Sequence, residues 1–261
     1  MFFPNIVKGM EEVLIENGYD LLLLTSFELE EKLNNYIRIF KEKSIDGLIL
    51  LNVKKDDKGL IELEKTDYPF ICIGRVSENY KGSYVDTDNV KRGYIGTEHL
   101  IKQHNLKKIG YLGNELKYLF NIDHFNGYKL ALINNDIEIK DEFVKTVPQS
   151  IEAGYKGMKK LIENEVEGVI LFGNLITMGA IEFLKEKQIK IPDDLKIIIT
   201  SEFIPVYNER IKFTQIQQDV SALGEMAVKI LIEEINTLRK SSKQIVLQPK
   251  FINGNSCGCN I

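Results

Sequence analysis

Residues 214–235 read TQIQQDVSALGEMAVKILIEEI, and the order of features within them decides the fold. An extended piece over 213–217 runs straight into an amphipathic helix. Asp219 is placed to cap that helix, since a carboxylate ahead of the first turn accepts backbone N–H groups that no helical carbonyl reaches. Leu223, Ala227, Ile230, Leu231 and Glu234 recur at helical spacing, and the apolar members form one stripe for burial. The helix is expected to end near Leu238. After the Ser/Lys-rich residues 240–243, another strand-like run covers 244–252. A strand, a helix and a strand this late in the chain describe a return to a lobe built earlier. They point to binding between two lobes rather than to a catalytic motif.

Upstream, the sequence alternates between two periods. Ile6, Val7, Met10, Val13 and Leu14 mark one face of a helix over 3–17, which Gly18 ends. The run Leu21 to Leu24 is continuous and apolar, as buried parallel strands are. Helices are expected at 29–43, 58–65 and 90–103, with strands at 47–51, 70–74, 84–85 and 108–112. A second set follows with the same grammar: helices at 123–134, 153–164 and 176–187, and strands at 143–147, 168–172 and 196–200. Strands alternating with helices of this length predict parallel βαβ units with right-handed crossovers. The expected fold class is therefore α/β, with two doubly wound parallel-sheet lobes. The change of pattern near Gly113 and the return at Gln217 divide them into residues 1–112 with 218–242, and 113–217 with 243–261.

The chain has 261 residues, 44% apolar and 28% charged, with three cysteines and a net charge of −4. At this length roughly three-quarters of the unfolded surface can be buried, so core volume is not limiting. An acidic balance argues against a broad nucleic-acid face, which needs clustered Lys and Arg. A local basic stretch, 102–108, holds only three lysines and reads as a solvated helix end. No apolar run approaches the ~20 residues that span a bilayer. The opening MFFPNIVKGM lacks a signal peptide's basic and apolar segments. The expectation is a cytoplasmic protein with no membrane partner.

Short motifs add little chemistry. Residues 254–258, GNSCG, fit the nucleophile-elbow pattern, but that elbow needs a following helix and then an acid and a histidine. Asp86-Thr87-Asp88-Asn89 opens like a calcium loop, yet its sixth and twelfth positions are Lys91 and Thr97 rather than Gly and Glu. Asn89 or Asp88 caps the next helix, and Asp86 sits at a cleft edge. There is no glycine-rich phosphate loop, so no cofactor is expected. Cys72 lies in an apolar strand. Cys257 and Cys259 are two thiols in the tail, too few for a structural zinc site, so no metal is expected. His99 and His104 read as structural. Arg75, ending a strand, points to the cleft, because open α/β sheets bind ligands at their carboxyl ends.

Together, FFPNIVKGMEEVLIENGYDLLLLTS, SIDGLIL, PFICIGR, VDTDNVKRGYIGTEHLIKQHNLKKIGYLGN, GYKLAL, IPDDLKIII, the 214–235 segment and VLQPKFINGNSC resemble, in order, the effector-binding core of the LacI/GalR transcription regulators. The resemblance runs nearly end to end. It implies two lobes of the periplasmic-binding-protein-like type I, three crossovers, and a small-molecule effector, a sugar or a relative, in the cleft between them. It also implies a homodimer and an N-terminal helix-turn-helix that meets operator DNA. That head and the family's first core strand would lie upstream of Phe2, so the chain reads as a core without its DNA-binding head. A solute-binding protein for a transporter or receptor shares this fold and is the alternative. An enzyme on a doubly wound sheet is a third reading, for which the sequence shows neither a nucleophile–base–acid set nor a metal cluster.

Several positions where the family grips sugars differ here. GalR-like members place an Arg in the pattern R-x-x-G-[FYW]; this chain has His124-Phe125-Asn126-Gly127-Tyr128, and a neutral imidazole offers one donor where guanidinium offers five. Gly173-Asn174 replaces Asn-Asp, Ser201-Glu202 replaces a sugar-gripping Asp, and Gly254 replaces an Arg near the closing Ser. Phe2 and Phe3 match aromatics that flank the ligand. Tyr118, Phe120 and Gln149 fall on cleft-facing loops. With Arg75, Asp86, His124, Asn174, Ser201 and Glu202, these are the candidate ligand-binding residues.

Overall fold

The computed structural model describes residues 2–24, 38–51, 53, 57–77, 79–200, 207–237 and 242–259. The chain divides into two units, one of Met1–Thr87 with Asp219–Leu247, the other of Asp88–Gln218 with Gln248–Ile261.

In the first unit, helix α1 (Phe2–Asn17) buries Ile6, Gly9, Met10 and Val13. Strands β1 (Leu48–Leu51), β2 (Phe70–Ile73), β3 (Tyr84–Thr87) and β9 (Gln244–Leu247) pair in that order, all parallel. Helix α2 (Lys58–Glu64) starts at Asp57, whose carboxylate accepts from the N–H of Gly59 and Leu60 at 2.9 and 3.2 Å. Helix α7 (Val220–Thr237) is the helix read from 219 onward, and Asp219 accepts from the N–H of Ala222 at 3.1 Å as its first-turn cap. Its buried stripe, Leu223, Ala227, Ile230 and Leu231, meets Ile6, Ile71 and Val85 in one core. Glu234 lies on that stripe and is buried, accepting a hydrogen bond from the Ser83 hydroxyl at 2.7 Å.

The second unit orders its strands β10-β8-β7-β6-β4-β5. These are β4 (Ile109–Asn114), β5 (Val144–Val147), β6 (Gly168–Leu171), β7 (Lys196–Ile199), β8 (Thr214–Gln217) and β10 (Lys250–Ile252). All pairings are parallel except that of β10 with β8. Helices α3 (Asn89–His104) and α4 (Leu119–Ile133) pack as one pair, and α5 (Ile151–Glu163) and α6 (Asn174–Glu186) as another. The first pair approaches closely. A Cβ on Gly127 would lie 1.9 Å from the Val90 carbonyl oxygen, and one on Gly93 would lie 2.0 Å from that of His124. Only glycine fits such contacts.

Three expectations differ from the structure, and a fourth falls mostly outside it. The boundary near residue 112 moves to Thr87/Asp88, because β4 hydrogen-bonds to β5 and β6 and α3 packs on α4. The boundary at 242/243 moves to Leu247/Gln248, because the run 244–252 breaks at Gln248-Pro249, with β9 in the first sheet and β10 in the second. Proline lacks the N–H that a continuous strand needs there. Leu21 to Leu24 carry no strand and are 40–57% exposed. A strand exists through its neighbour's ladder, and no described strand pairs with this run. Most of the helix expected at 29–43 lies outside the described residues; of those described, 38–41 are helical.

Candidate functional site

In the second sheet β4, β6 and β7 are neighbours, and polar groups gather where those strands end. Asn114 closes β4, Phe172 and Gly173 follow β6, and Thr200 follows β7. Arg92, in the first turns of α3, is 2% exposed. Its Nη1 donates to Asn89 Oδ1 at 3.1 Å and its Nη2 to the Thr200 carbonyl at 2.5 Å. The guanidinium carbon lies 5.6 Å from the centre of the Phe172 ring. Sequence reasoning missed this residue. A signal was present: the buried face of α3 is Asn89, Arg92, Gly93, Gly96, Thr97 and Leu100, so an arginine sits inside a stripe of small and apolar residues at helical spacing.

His124 is fully buried, its ring parallel to Phe172 within 5° at 4.0 Å. Nδ1 lies 3.2 Å from the Tyr111 hydroxyl. Desolvation first, and then the charge of Arg92, hold the imidazole pKa well below 6.5, so the ring is neutral. Burial raises the Tyr111 phenol, which keeps its proton. With that proton donated to Nδ1, the imidazole proton sits on Nε2, a buried donor that no group among the described residues accepts. Asn114 Oδ1 and Asn121 Oδ1 are likewise buried without a partner among the described residues, although Asn121 Nδ2 donates to the Glu115 carbonyl at 2.8 Å.

An aromatic array adjoins these groups. Tyr118 stacks on Phe120 at 5.5 Å, and Phe120 meets Phe172 edge-on at 6.5 Å. Thus Tyr118, Phe120 and His124 are linked through Phe172, which the sequence reading had not singled out. Asn174 begins α6 and is half-buried beside Gly173, whose φ of 108° disfavours a side chain. Gln149 is exposed in the turn after β5. Ser201 and Glu202 lie outside the described residues.

The first unit holds the other candidates at its own strand ends and on α1. Across the boundary, in the second unit, Asp88 rather than Asn89 caps α3, accepting from the Lys91 N–H at 2.8 Å. Asp86, ending β3, is buried and accepts from the backbone N–H of Arg75 at 3.0 Å and of Thr87 at 2.7 Å. Its carboxylate thereby fixes the loop that carries Arg75, which is half-buried. Phe2 packs on the core of its unit, while Phe3 is 49% exposed.

The tail has a different role from the nucleophile elbow its residues imitate. Ser256 is buried; its hydroxyl donates to the Ile197 carbonyl at 2.6 Å and accepts from the Thr214 N–H at 2.9 Å. The two tail thiols, expected to hold no metal by themselves, are joined by two imidazoles of α3: donor atoms of His99, His104, Cys257 and Cys259 all lie within 4.8 Å of one another. The histidine pair and the cysteine pair are separated by more than 150 residues of chain, so no single local motif joins them.

A family model described as periplasmic binding proteins and sugar binding domain of LacI family matches residues 1–255. The chain is 27% identical over 253 residues to the HTH-type transcriptional regulator MalR of Streptococcus pneumoniae serotype 4, covering 94% of this chain and 72% of that protein. Among solved structures, the transcriptional regulator CelR in complex with cellobiose matches with a TM-score of 0.87 and 21% identity, over 98% of this chain and 79% of that one. A LacI-family regulator of Enterococcus faecium with bound ribose matches with a TM-score of 0.82 and 23% identity, over 98% and 93%.

Proposed function

We propose a function from one premise: this chain belongs to the family of periplasmic binding proteins and sugar-binding domains of LacI-type regulators. Its curated relatives such as MalR are transcriptional regulators rather than transport proteins or enzymes, and the chain is the effector-sensing core of such a regulator. The finer reading is ours. The core is a non-enzymatic, cytoplasmic sensor that takes up a small polar molecule, works as a homodimer, and passes occupancy to a segment that binds operator DNA. No described helix is long and apolar enough to cross a membrane. Ligand can shift such a protein only through different affinities for its conformations.

One observation carries the ligand reading. Three buried polar atoms, His124 Nε2, Asn114 Oδ1 and Asn121 Oδ1, have no partner among the described residues. All three residues belong to β4 or to α4, which follows it. A buried polar group left unsatisfied costs about 1–3 kcal/mol, which a hydrogen-bonding ligand offsets. Parallel α/β sheets take ligands at this end.

The same residues shape the choice of ligand. Charge-assisted bonds contribute roughly 1.5–3 kcal/mol each, and this cluster presents a neutral imidazole and the bare Gly173 where sugar-gripping relatives of the GalR type use charged or amide groups. Tyr118 and Phe120 add flat faces suited to a planar ring or the apolar face of a modified sugar. We expect affinity for plain hexoses of about millimolar or weaker, a free energy near 4 kcal/mol. A thermal-shift panel of glucose, galactose, aryl glycosides and planar heterocycles tests this, with the larger shifts expected for the last two classes. A strong response to glucose or galactose that persists in His124→Ala and Glu202→Ala would show that the reading of this cluster is wrong.

A further inference from the structure

We propose that His99, His104, Cys257 and Cys259 form a tetrahedral site for a thiophilic divalent cation, zinc by the chemistry of its donors. The site belongs wholly to the second unit and does not depend on the effector reading. His99 Nε2 lies 3.4 Å from the sulfurs of both Cys257 and Cys259, and His104 Nε2 lies 3.5 Å from that of Cys259. With Zn–S near 2.3 Å and Zn–N near 2.0–2.1 Å, a tetrahedral ion sets its nitrogen–sulfur edges at roughly 3.5 Å. Three of the four nitrogen–sulfur edges therefore stand at the spacing that a shared ion imposes, and all four donors lie within 4.8 Å of one another. Hydrogen bonding alone explains the cluster less well, since one imidazole nitrogen has a single proton or a single lone pair for two sulfurs. Two thiolates and two imidazoles in tetrahedral array select zinc over the harder cations that prefer oxygen.

The surrounding chain holds the donors in place. His99 packs on Phe251 of β10 with ring centroids 4.8 Å apart. His104 is the last residue of α3, and Asn105 turns the chain away with φ of 53°. Gly258 separates the two cysteines with φ of 96°, a left-handed turn that brings both sulfurs to one side. A Cβ there would also press to 3.3 Å from Lys196 and 3.6 Å from His104. The Thr214 hydroxyl is 3.0 Å from Cys257 Sγ, an outer partner of the kind that orients a metal-bound thiolate. Asn255 and Ser256 bond to Lys212, Thr214 and Ile197, so the tail enters the cluster already fixed. Cys257 is buried and the other three donors are half-buried, which shields the site while leaving a way in.

Arg92 and His104 are twelve residues apart on α3, about 18 Å at 1.5 Å per residue. The metal would sit at the far end of that helix from the polar cluster. It would staple the C-terminal tail, and with it β10, to α3.

The chain, expressed without a polyhistidine tag and purified without chelator, should carry about one zinc per molecule by elemental analysis. Cobalt(II) added to chelator-stripped protein should give thiolate-to-metal charge-transfer bands and the intense visible absorption of tetrahedral cobalt. Cys259→Ser and His104→Ala, both at half-buried positions, should lose that spectrum and bind cobalt more weakly by at least about 100-fold, the upper range for loss of a mere outer-shell partner. Chelator should lower the melting temperature of the native chain and leave the double variant unmoved. A cobalt spectrum without thiolate bands would overturn the proposal. So would zinc content unchanged in the variant that carries both substitutions. If the double variant fails to fold, the cobalt spectrum of the native chain decides alone.

Discussion

His124 carries a pH signature that a surface histidine would not. Its native pKa is held well below 6.5 by burial and by Arg92, whereas in the unfolded chain it takes up a proton near the ordinary value. The unfolded state therefore binds more protons below pH 6.5. The stability this difference supplies is complete above that pH and is lost as the pH falls toward the native pKa. One such group changes stability by about 1.4 kcal/mol per pH unit in that window. Chemical denaturation between pH 7 and 5 should show a shallower slope in His124→Gln than in the native chain. Identical slopes would mean that His124 is protonated in the fold. The residue was legible as a departure from the sugar-binding pattern, but its burial was not, because it depends on Tyr111 and Phe172 arriving from two different strands.

Helix pairing explains why the stretch His124 to Tyr128 kept its glycine while losing its arginine. Gly127 touches the backbone of α3, so the position answers to packing whatever the ligand is. In Gly127→Ala the better helix propensity adds about 1 kcal/mol of stability, against an overpacking cost of about 1–3 kcal/mol for a methyl inserted into a tight interior. At 1.9 Å from a carbonyl oxygen the contact cannot relax by side-chain motion, so the cost should reach or exceed that upper figure. Urea titration should show a clear net loss; a gain would mean that the helices separate freely. Elements of this kind were legible in the sequence wherever the period ran long, as in α3, α4 and α7. Leu21 to Leu24 and the run 244–252 were not, because an apolar segment carries no record of which strand, if any, lies beside it. The zinc-type cluster was illegible for a related reason: helix α3 and the tail each hold half of it.

At the scale of the whole molecule, a net charge of −4 sets what the isolated chain meets in solution. It should show no sequence-dependent binding to duplex DNA in a mobility-shift assay at physiological salt, since phosphate contacts draw on clustered cations. It should sediment as a dimer at about tens of micromolar, where many homodimers persist. Tight operator binding or a purely monomeric boundary would each count against the regulator reading in its present form.

The chain passes from one unit to the other at Thr87/Asp88, Gln218/Asp219 and Leu247/Gln248. A ribosome meets these points in sequence, adding roughly 5–20 residues per second. The stretch of the first unit that ends at Thr87 lacks α7 and β9 until Leu247 has emerged, on the order of ten seconds later. By then nearly all of the unit made second is already outside the ribosome. Both units thus close late, the first with β9 and the second with β10, and the stretch up to Thr87 waits as a nascent sheet with its apolar face uncovered. A premature stop just before Gln244 would take β9 from the first unit, whose other strands were made long before, as well as β10 from the second.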